Sequence, residues 1–304
     1  MLHQLVAHGI IAGCIYILVA LGFTVIYRTV KFFHFAQGGV YACGAYLAYS
    51  VLRIAYSPST SSGQAGVFEW GMAVLVGIVG AAVLGVLINQ LVYQPLRKRK
   101  APNLVFLLAS FGVFILIQNL LQLIFGAQIL TIRTGPVKEG HHILGAVITD
   151  VQILILVVSV CLSISLWLFI KKTRLGKAMR AVADDPLAAS VVGINPERII
   201  LAAFAIGSAL AGVAGMLVSL ETNIEPTMGM NAILKGIIAS IIGGIGSIPG
   251  AVFGGLFLGL AENFGIWKIS AGWKDCIAFA ILIVFLLLRP GGIMNVKTHG
   301  ERPL

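Results

Sequence analysis

Runs of mainly apolar residues recur along the whole chain, each close to the ~20 residues that a helix needs to cross a bilayer. They fall at 6–27, 33–52, 70–92, 104–125, 151–170, 199–219, 229–245, 248–265 and 273–289. Charge is too sparse to support any other environment. Only 11% of the 304 residues are Asp, Glu, Lys or Arg, and 59% are hydrophobic, whereas about a quarter of ordinary soluble residues are charged. Too little polar surface is left for a water-soluble globule. The expected class is all-α: a polytopic membrane helix bundle with eight or nine transmembrane helices, its count least certain at 229–265, where Gly-rich sequence fits shorter or broken helices. Ile11-Ala12-Gly13-Cys14 resembles a lipoprotein processing site. A signal peptide needs a basic segment before its apolar core; here only His precedes the run, which continues past the cysteine, so it reads as the first span.

Lys and Arg in short loops mark the cytoplasmic side. Arg28 and Lys31, Arg97-Lys98-Arg99-Lys100, and Lys171-Lys172-Thr173-Arg174 with Lys177 and Arg180 are assigned there. The uncharged loop Ser57–Gly66 and the segment 126–150 are assigned outside. Nine spans then place the N-terminus outside and Arg289 and Lys297 inside. This use of basic residues accounts for the net charge of +10, which is therefore not read as a nucleic-acid footprint. Trp70, Trp167, Trp267 and Trp273 fall near predicted helix ends, where amphipathic rings prefer to sit.

Cys14, Cys43, Cys161 and Cys276 lie in apolar runs without CxxC spacing. They read as small buried hydrophobes, not as disulfides or metal ligands. Small residues recur every fourth position: Gly77, Ala81 and Gly85; Gly207, Ala211 and Gly215; Gly246, Gly250 and Gly254, with Gly255 and Gly259 alongside. Such rows let helix backbones approach closely in lipid.

One segment, Arg174–Ile199, breaks the apolar pattern. The fifth span is expected to continue through Lys172 to Ala183, where Asp184 and Asp185 interrupt it. Asp185 suits an N-cap and Pro186 the first helical position. Leu187 to Val192 makes one or two turns, and Gly193 suits a C-cap. Asn195-Pro196-Glu197 repeats the cap logic and starts the next span. Leu187, Val191 and Val192 are surplus to a solvated connector, so the short helix either docks in a groove of a cytoplasmic partner or lies flat on lipid headgroups.

This segment carries a resemblance. Gly176-Lys177-Ala178-Met179-Arg180-Ala181-Val182-Ala183-Asp184-Asp185, with Ala188-Ala189 and Val192-Gly193-Ile194-Asn195, resembles the cytoplasmic loop of ABC-importer permeases, and most of all the LivH-type permeases of branched-chain amino acid uptake. Ala20–Tyr27 and Phe33-His34-Phe35-Ala36-Gln37-Gly38 are similar to that family's first two helices. Gln94-Pro95-Leu96-Arg97 matches the loop after the third, and Ile242–Ala251 its Gly-rich segment. The likeness is collinear over nearly the whole chain. Three positions depart from it: Arg28 stands where a Gly is usual, Gly39 where an acidic residue often follows, and the loop lacks a literal Glu-Ala-Ala opening. The resemblance implies one permease domain over 1–304 with a coupling loop at 171–198. Asp184, Asp185, Pro186, Leu187, Ala188, Val191, Val192, Gly193 and Ile194 would then contact the ATPase. Its implied partners are two cytoplasmic ATPases that bind the ATP, a second, LivM-like permease in a heterodimer, an extracytoplasmic binding protein, and the lipid of a bacterial inner membrane. The implied cargo is a hydrophobic amino acid, with urea or a short amide as the rival.

Polar residues inside spans are functional candidates. Lys235 lies in an apolar run, either lining a path, snorkelling or paired. Gln118 and Gln122 share a helix face, with Asn119 beside them. His34 and Gln37 lie one turn apart at the start of the second helix. These six are candidates for the translocation path. Glu262 and Asn263, near an external helix end, are expected to face water or a docked binding protein. No G-x-x-x-x-G-K-[ST] loop and no nucleophile–base set is present, so the chain is not itself an enzyme, binds no cofactor and holds no metal. An ATP-independent transporter or channel would need a buried carboxylate for ion coupling, and none is evident in the sequence.

Overall fold

The computed structural model describes residues 2–55, 67–132, 140–143, 145–267, 270–289 and 291–294. The uncharged loop Ser57–Gly66 and Lys297 lie outside them. Each of the nine apolar runs contains a helix. In chain order these are α1 (Leu2–Val30), α2 (Ala36–Ala55), α3 (Val67–Ile88), α5 (Asn103–Phe125), α6 (Asp150–Lys172), α9 (Pro196–Glu221), α10 (Met228–Gly243), α11 (Ile248–Gly265) and α12 (Lys274–Leu288). A π-helical segment, Asn89–Tyr93, joins α3 to the short α4 (Gln94–Lys98), and α7 (Arg174–Asp184) and α8 (Pro186–Val191) lie between α6 and α9.

The expected eight or nine spans are not reached by length and apolarity. Five helices among the described residues qualify, and six if the bent pair α10–α11 is one broken span. The shortfall has a physical reason. α2 has 20 residues but carries Gln37, three tyrosines and Arg53, α10 has 16 residues, and α12 has 15. α10 and α11 meet at a 115° bend, where Gly244 and Gly246 take φ of +105° and +88°, a region that favours glycine. Among the described residues the departures from all-α are a small antiparallel hairpin, β1 (His141–Ile143) with β2 (Ala146–Ile148), and an isolated antiparallel bridge between Leu130 and Ile224.

The chain divides into two compact units. The first comprises 1–31, 140–203 and 235–304. Its centre is α1, half of whose residues are buried, packed on α11 and α6. Backbones touch there: a Cβ on Gly255 would run into Ile17, and one on Gly259 into Gly13. Ser159 of α6 donates to the Cys14 carbonyl at 2.9 Å, and Ser240 of α10 to that of Ala20 at 3.2 Å. The second unit comprises 32–139 and 204–234. Here α2 packs on α3 and α5. Gly44 abuts Gly212, Gly38 abuts Gly229, and Gly77 and Gly85 meet Met216 and Ser208. The four-residue rows thus act as packing faces in both units. The cysteines divide differently from expectation. All four are free, but only Cys14 is buried; Cys161 and Cys276 are exposed on the outer faces of their helices.

Candidate functional site

The Arg174–Ile199 segment is built from a series of caps. α6 does not continue to Ala183 as expected; it stops at Lys172, because Thr173 turns extended (φ −81°, ψ 158°). The Thr173 hydroxyl bonds back to the Phe169 carbonyl at 2.6 Å and accepts the Gly176 N–H at 3.0 Å. That one side chain both ends α6 and starts α7. Gly176 is required at the turn, since a Cβ there would collide with the backbone of Phe169 and Ile170. α7 buries Gly176, Met179, Val182 and Ala183 and turns its charged face outward.

α8 is set off from α7 by a second cap. Asp185 Oδ1 accepts from Leu187 N at 2.8 Å and Ala188 N at 3.1 Å, and Pro186 takes the first turn. The end is closed by Gly193 (φ +84°) and by Ile194 N donating to the Ala189 carbonyl at 3.0 Å. Asn195 then accepts from Glu197 N and Arg198 N at the start of α9. Each cap read in the sequence is in place. Only Ala189 of α8 is buried. Leu187, Val191 and Val192 are 79%, 86% and 74% exposed, and Asp184, Asp185, Pro186, Ala188 and Gly193 are exposed with them, Ile194 partly so. Three bare aliphatic side chains on a rigidly capped element form an apolar tip within a charged surface.

The path candidates do not form a comparable arrangement. Gln118 is half-buried, while Asn119 and Gln122 are exposed on α5, and the Asn119 amide bonds its own helix at Ile115 O. His34 and Gln37 are fully buried. His34 stands in the connection before α2 rather than on it, and its Nδ1 lies 2.8 Å from the Tyr93 hydroxyl, inside an aromatic group with Phe204. Lys235 is 8% exposed and ion-pairs with Glu262 of α11 and Asp275 of α12. Glu262 corrects the expectation that it faces water: it is 0% exposed, and Asn263 is 5%. A buried carboxylate is therefore present after all, already neutralised by an ammonium. The available signal was a lone acidic residue in the apolar run 248–265. Its partner lies 27 residues away, beyond the reach of any local pattern. Among the described residues no three His, Cys, Asp or Glu side chains gather as a metal site requires.

Residues 5–286 match the family described as the branched-chain amino acid transport system / permease component. The chain belongs to that family. It is 36% identical to the high-affinity branched-chain amino acid transport system permease protein LivH of Escherichia coli K12, over 96% of this chain and 95% of that protein. It is 37% identical to BraD, the corresponding permease protein of Pseudomonas aeruginosa, over 97% and 95%. Among solved structures, PsaBC from Streptococcus pneumoniae in complex with Fab has the same overall fold, with a TM-score of 0.52 over 95% of this chain and 92% of that one, at 12% identity. The family member described here is thus a multi-pass membrane permease component and not itself an enzyme.

Proposed function

We propose that this chain is the permease subunit of an ABC importer that takes up branched-chain or other hydrophobic amino acids across a bacterial inner membrane. The observation that carries the coupling reading is the apolar tip of α8. Leu187, Val191 and Val192 stand uncovered on a helix whose two ends are capped, and a rigid element with a bare aliphatic surface suits a groove in a partner. Asp184, Asp185, Pro186, Leu187, Ala188, Val191, Val192, Gly193 and Ile194 form the surface that one of two cytoplasmic ATPases grips, at the face marked by Lys171, Lys172, Lys177 and Arg180. ATP is bound and hydrolysed on those subunits. A second, LivM-like permease completes the membrane unit, with 1–304 acting as one permease domain, and a soluble binding protein delivers the cargo from the other side. The amino-acid cargo is supported by the branched-chain amino acid transport of the relatives at 36–37% identity. Urea or a short amide is the competing cargo, and Gln118, Asn119, Gln122, His34 and Gln37 are offered as path residues for either.

The test is purification of the tagged chain from its native membrane in mild detergent, followed by reconstitution with its binding protein. Co-purification of two P-loop ATPases and a second permease, with ATP-dependent leucine uptake, is the expected result. A chain that purifies alone and moves solute without ATP would overturn it.

A further inference from the structure

Within the first unit one buried ammonium serves two carboxylates of unequal burial. Lys235 of α10 ion-pairs with Glu262 of α11, whose side chain is 1% exposed. The same Nζ lies 2.9 Å from Asp275 Oδ1, in the first turn of α12, and that side chain is 63% exposed. Tyr16 of α1 donates its hydroxyl to the second oxygen of Glu262 at 2.7 Å and sets its ring 5.8 Å from the ammonium. The cluster holds one positive and two negative charges.

The two arms differ in what their rupture leaves behind. Parting Lys235 from Glu262 strands two charges in a low-dielectric interior. Parting it from Asp275 strands none, because Glu262 still neutralises the ammonium and the freed carboxylate is largely exposed. The inner arm is therefore permanent and the outer one exchangeable.

Of the helices that build the cluster, the one on the exchangeable arm is also the least embedded. Ala278 is the only buried residue of α12, whereas α11 meets α1 through glycines that leave no room for a side chain. The opposite end of α12 is fixed. Just beyond it, Ile293 N donates to the Ile242 carbonyl at 2.9 Å and Met294 N to that of Gly243 at 3.0 Å. A helix pinned by backbone at one end and tied through a shared ammonium at the other is a hinged arm with a latch.

We infer that Lys235 is a positioning residue of the transport step. With Glu262 it ties α10 to α11 throughout the cycle, and through Asp275 it holds the start of α12 in one state and releases it in the other. This rests on the importer reading above.

The junction itself offers the probe. A Cβ at Gly265, the last residue of α11, would stand 2.6 Å from Ile277 Cδ1 in the first turn of α12. Gly265→Cys with Ile277→Cys therefore places two thiols across the latch, in a chain with Cys14, Cys43, Cys161 and Cys276 changed to Ala. In the full reconstituted complex without nucleotide, mild oxidation is expected to link them. In the ATP-bound complex the yield of that link is expected to fall several-fold, and once formed the link is expected to stop ATP-driven leucine uptake until it is reduced. Asp275→Asn is expected to make the linking yield the same with and without ATP, and Asp275→Glu to restore the difference. A nucleotide-independent yield in the parent, or full uptake by the linked protein, would overturn the latch. Absence of uptake by the unmodified complex would instead count against the importer reading, and the nucleotide dependence of linking would still decide the latch.

Discussion

Replacing Leu187 with Glu and Val191 with Lys separates the two fates open to α8. Both positions are more than three-quarters exposed, so the substitutions remove no packing and should change fold stability by less than about 0.5 kcal/mol. The charges also suit the helix: Glu enters the first turn and Lys the last, in keeping with the dipole, and they form an i,i+4 Glu-to-Lys pair worth ~0.3 kcal/mol. What disappears is the apolar tip. Burying a Leu or Val side chain fully against a partner is worth about 1.5–3 kcal/mol. Losing even half of that at both positions, before any cost of burying the new charges, weakens the complex by ~1.5–3 kcal/mol, or roughly ten- to a hundredfold in Kd. Titration of the purified ATPase against the detergent-solubilised variant, beside a thermal melt of the same sample, reads both quantities. An unchanged Kd with an unchanged melt would refute the docking argument and leave α8 as an element lying on lipid headgroups.

Four further outcomes follow from the same geometry. Asp185→Ala removes the acceptor for Leu187 N and Ala188 N and should loosen α8 by about 1 kcal/mol, seen as faster amide exchange over 187–192 that Asp185→Asn largely restores. Gly193→Ala meets no steric obstacle, since a Cβ there finds open space, but must hold φ +84°; a backbone penalty of ~1–2 kcal/mol is expected in α8 exchange protection, with Gly193→Asn milder. Lys235→Met leaves Glu262 charged and unpaired in the interior, for a loss of about 3–5 kcal/mol; melting temperature should drop sharply, and the double variant Lys235→Met with Glu262→Leu should recover much of it. Gly229→Ala would drive a Cβ into the Gly38 backbone, so a reduced melting temperature with little change in ATPase binding is expected.

What could be read from the residues depended on how local the cause was. The apolar runs specified every long helix because each run contains its own reason to avoid water. Asp185-Pro186 and Gly193 specified α8 because a cap is an agreement between residues two to five apart. Thr173 was less legible: threonine is tolerated within helices, and its role as breaker follows from a hydroxyl that both closes α6 and opens α7. Glu262 was misread because its environment is set by α1, α10 and α12 together, and nothing adjacent to it in the chain records Lys235, Tyr16 or Asp275. Length and apolarity do not confirm the span count for a related reason. Several helices here are short or polar, and their burial depends on glycine contacts that no hydropathy window registers. His34 shows the same limit: its setting depends on Tyr93, which the π-helical segment turns toward it from 59 residues away.

The backbone bonding of residues 293 and 294 to the end of α10 has a consequence for how the protein is made. Helix C-termini leave carbonyls without partners, and those of Ile242 and Gly243 accept from the backbone N–H groups of Ile293 and Met294 respectively. On the ribosome, the end of α10 at Gly243 emerges well before that partner exists, and α11 is made in between. The bend between α10 and α11 therefore stays unfinished at its apex until α12 has been made, so its closure follows the synthesis of a later helix.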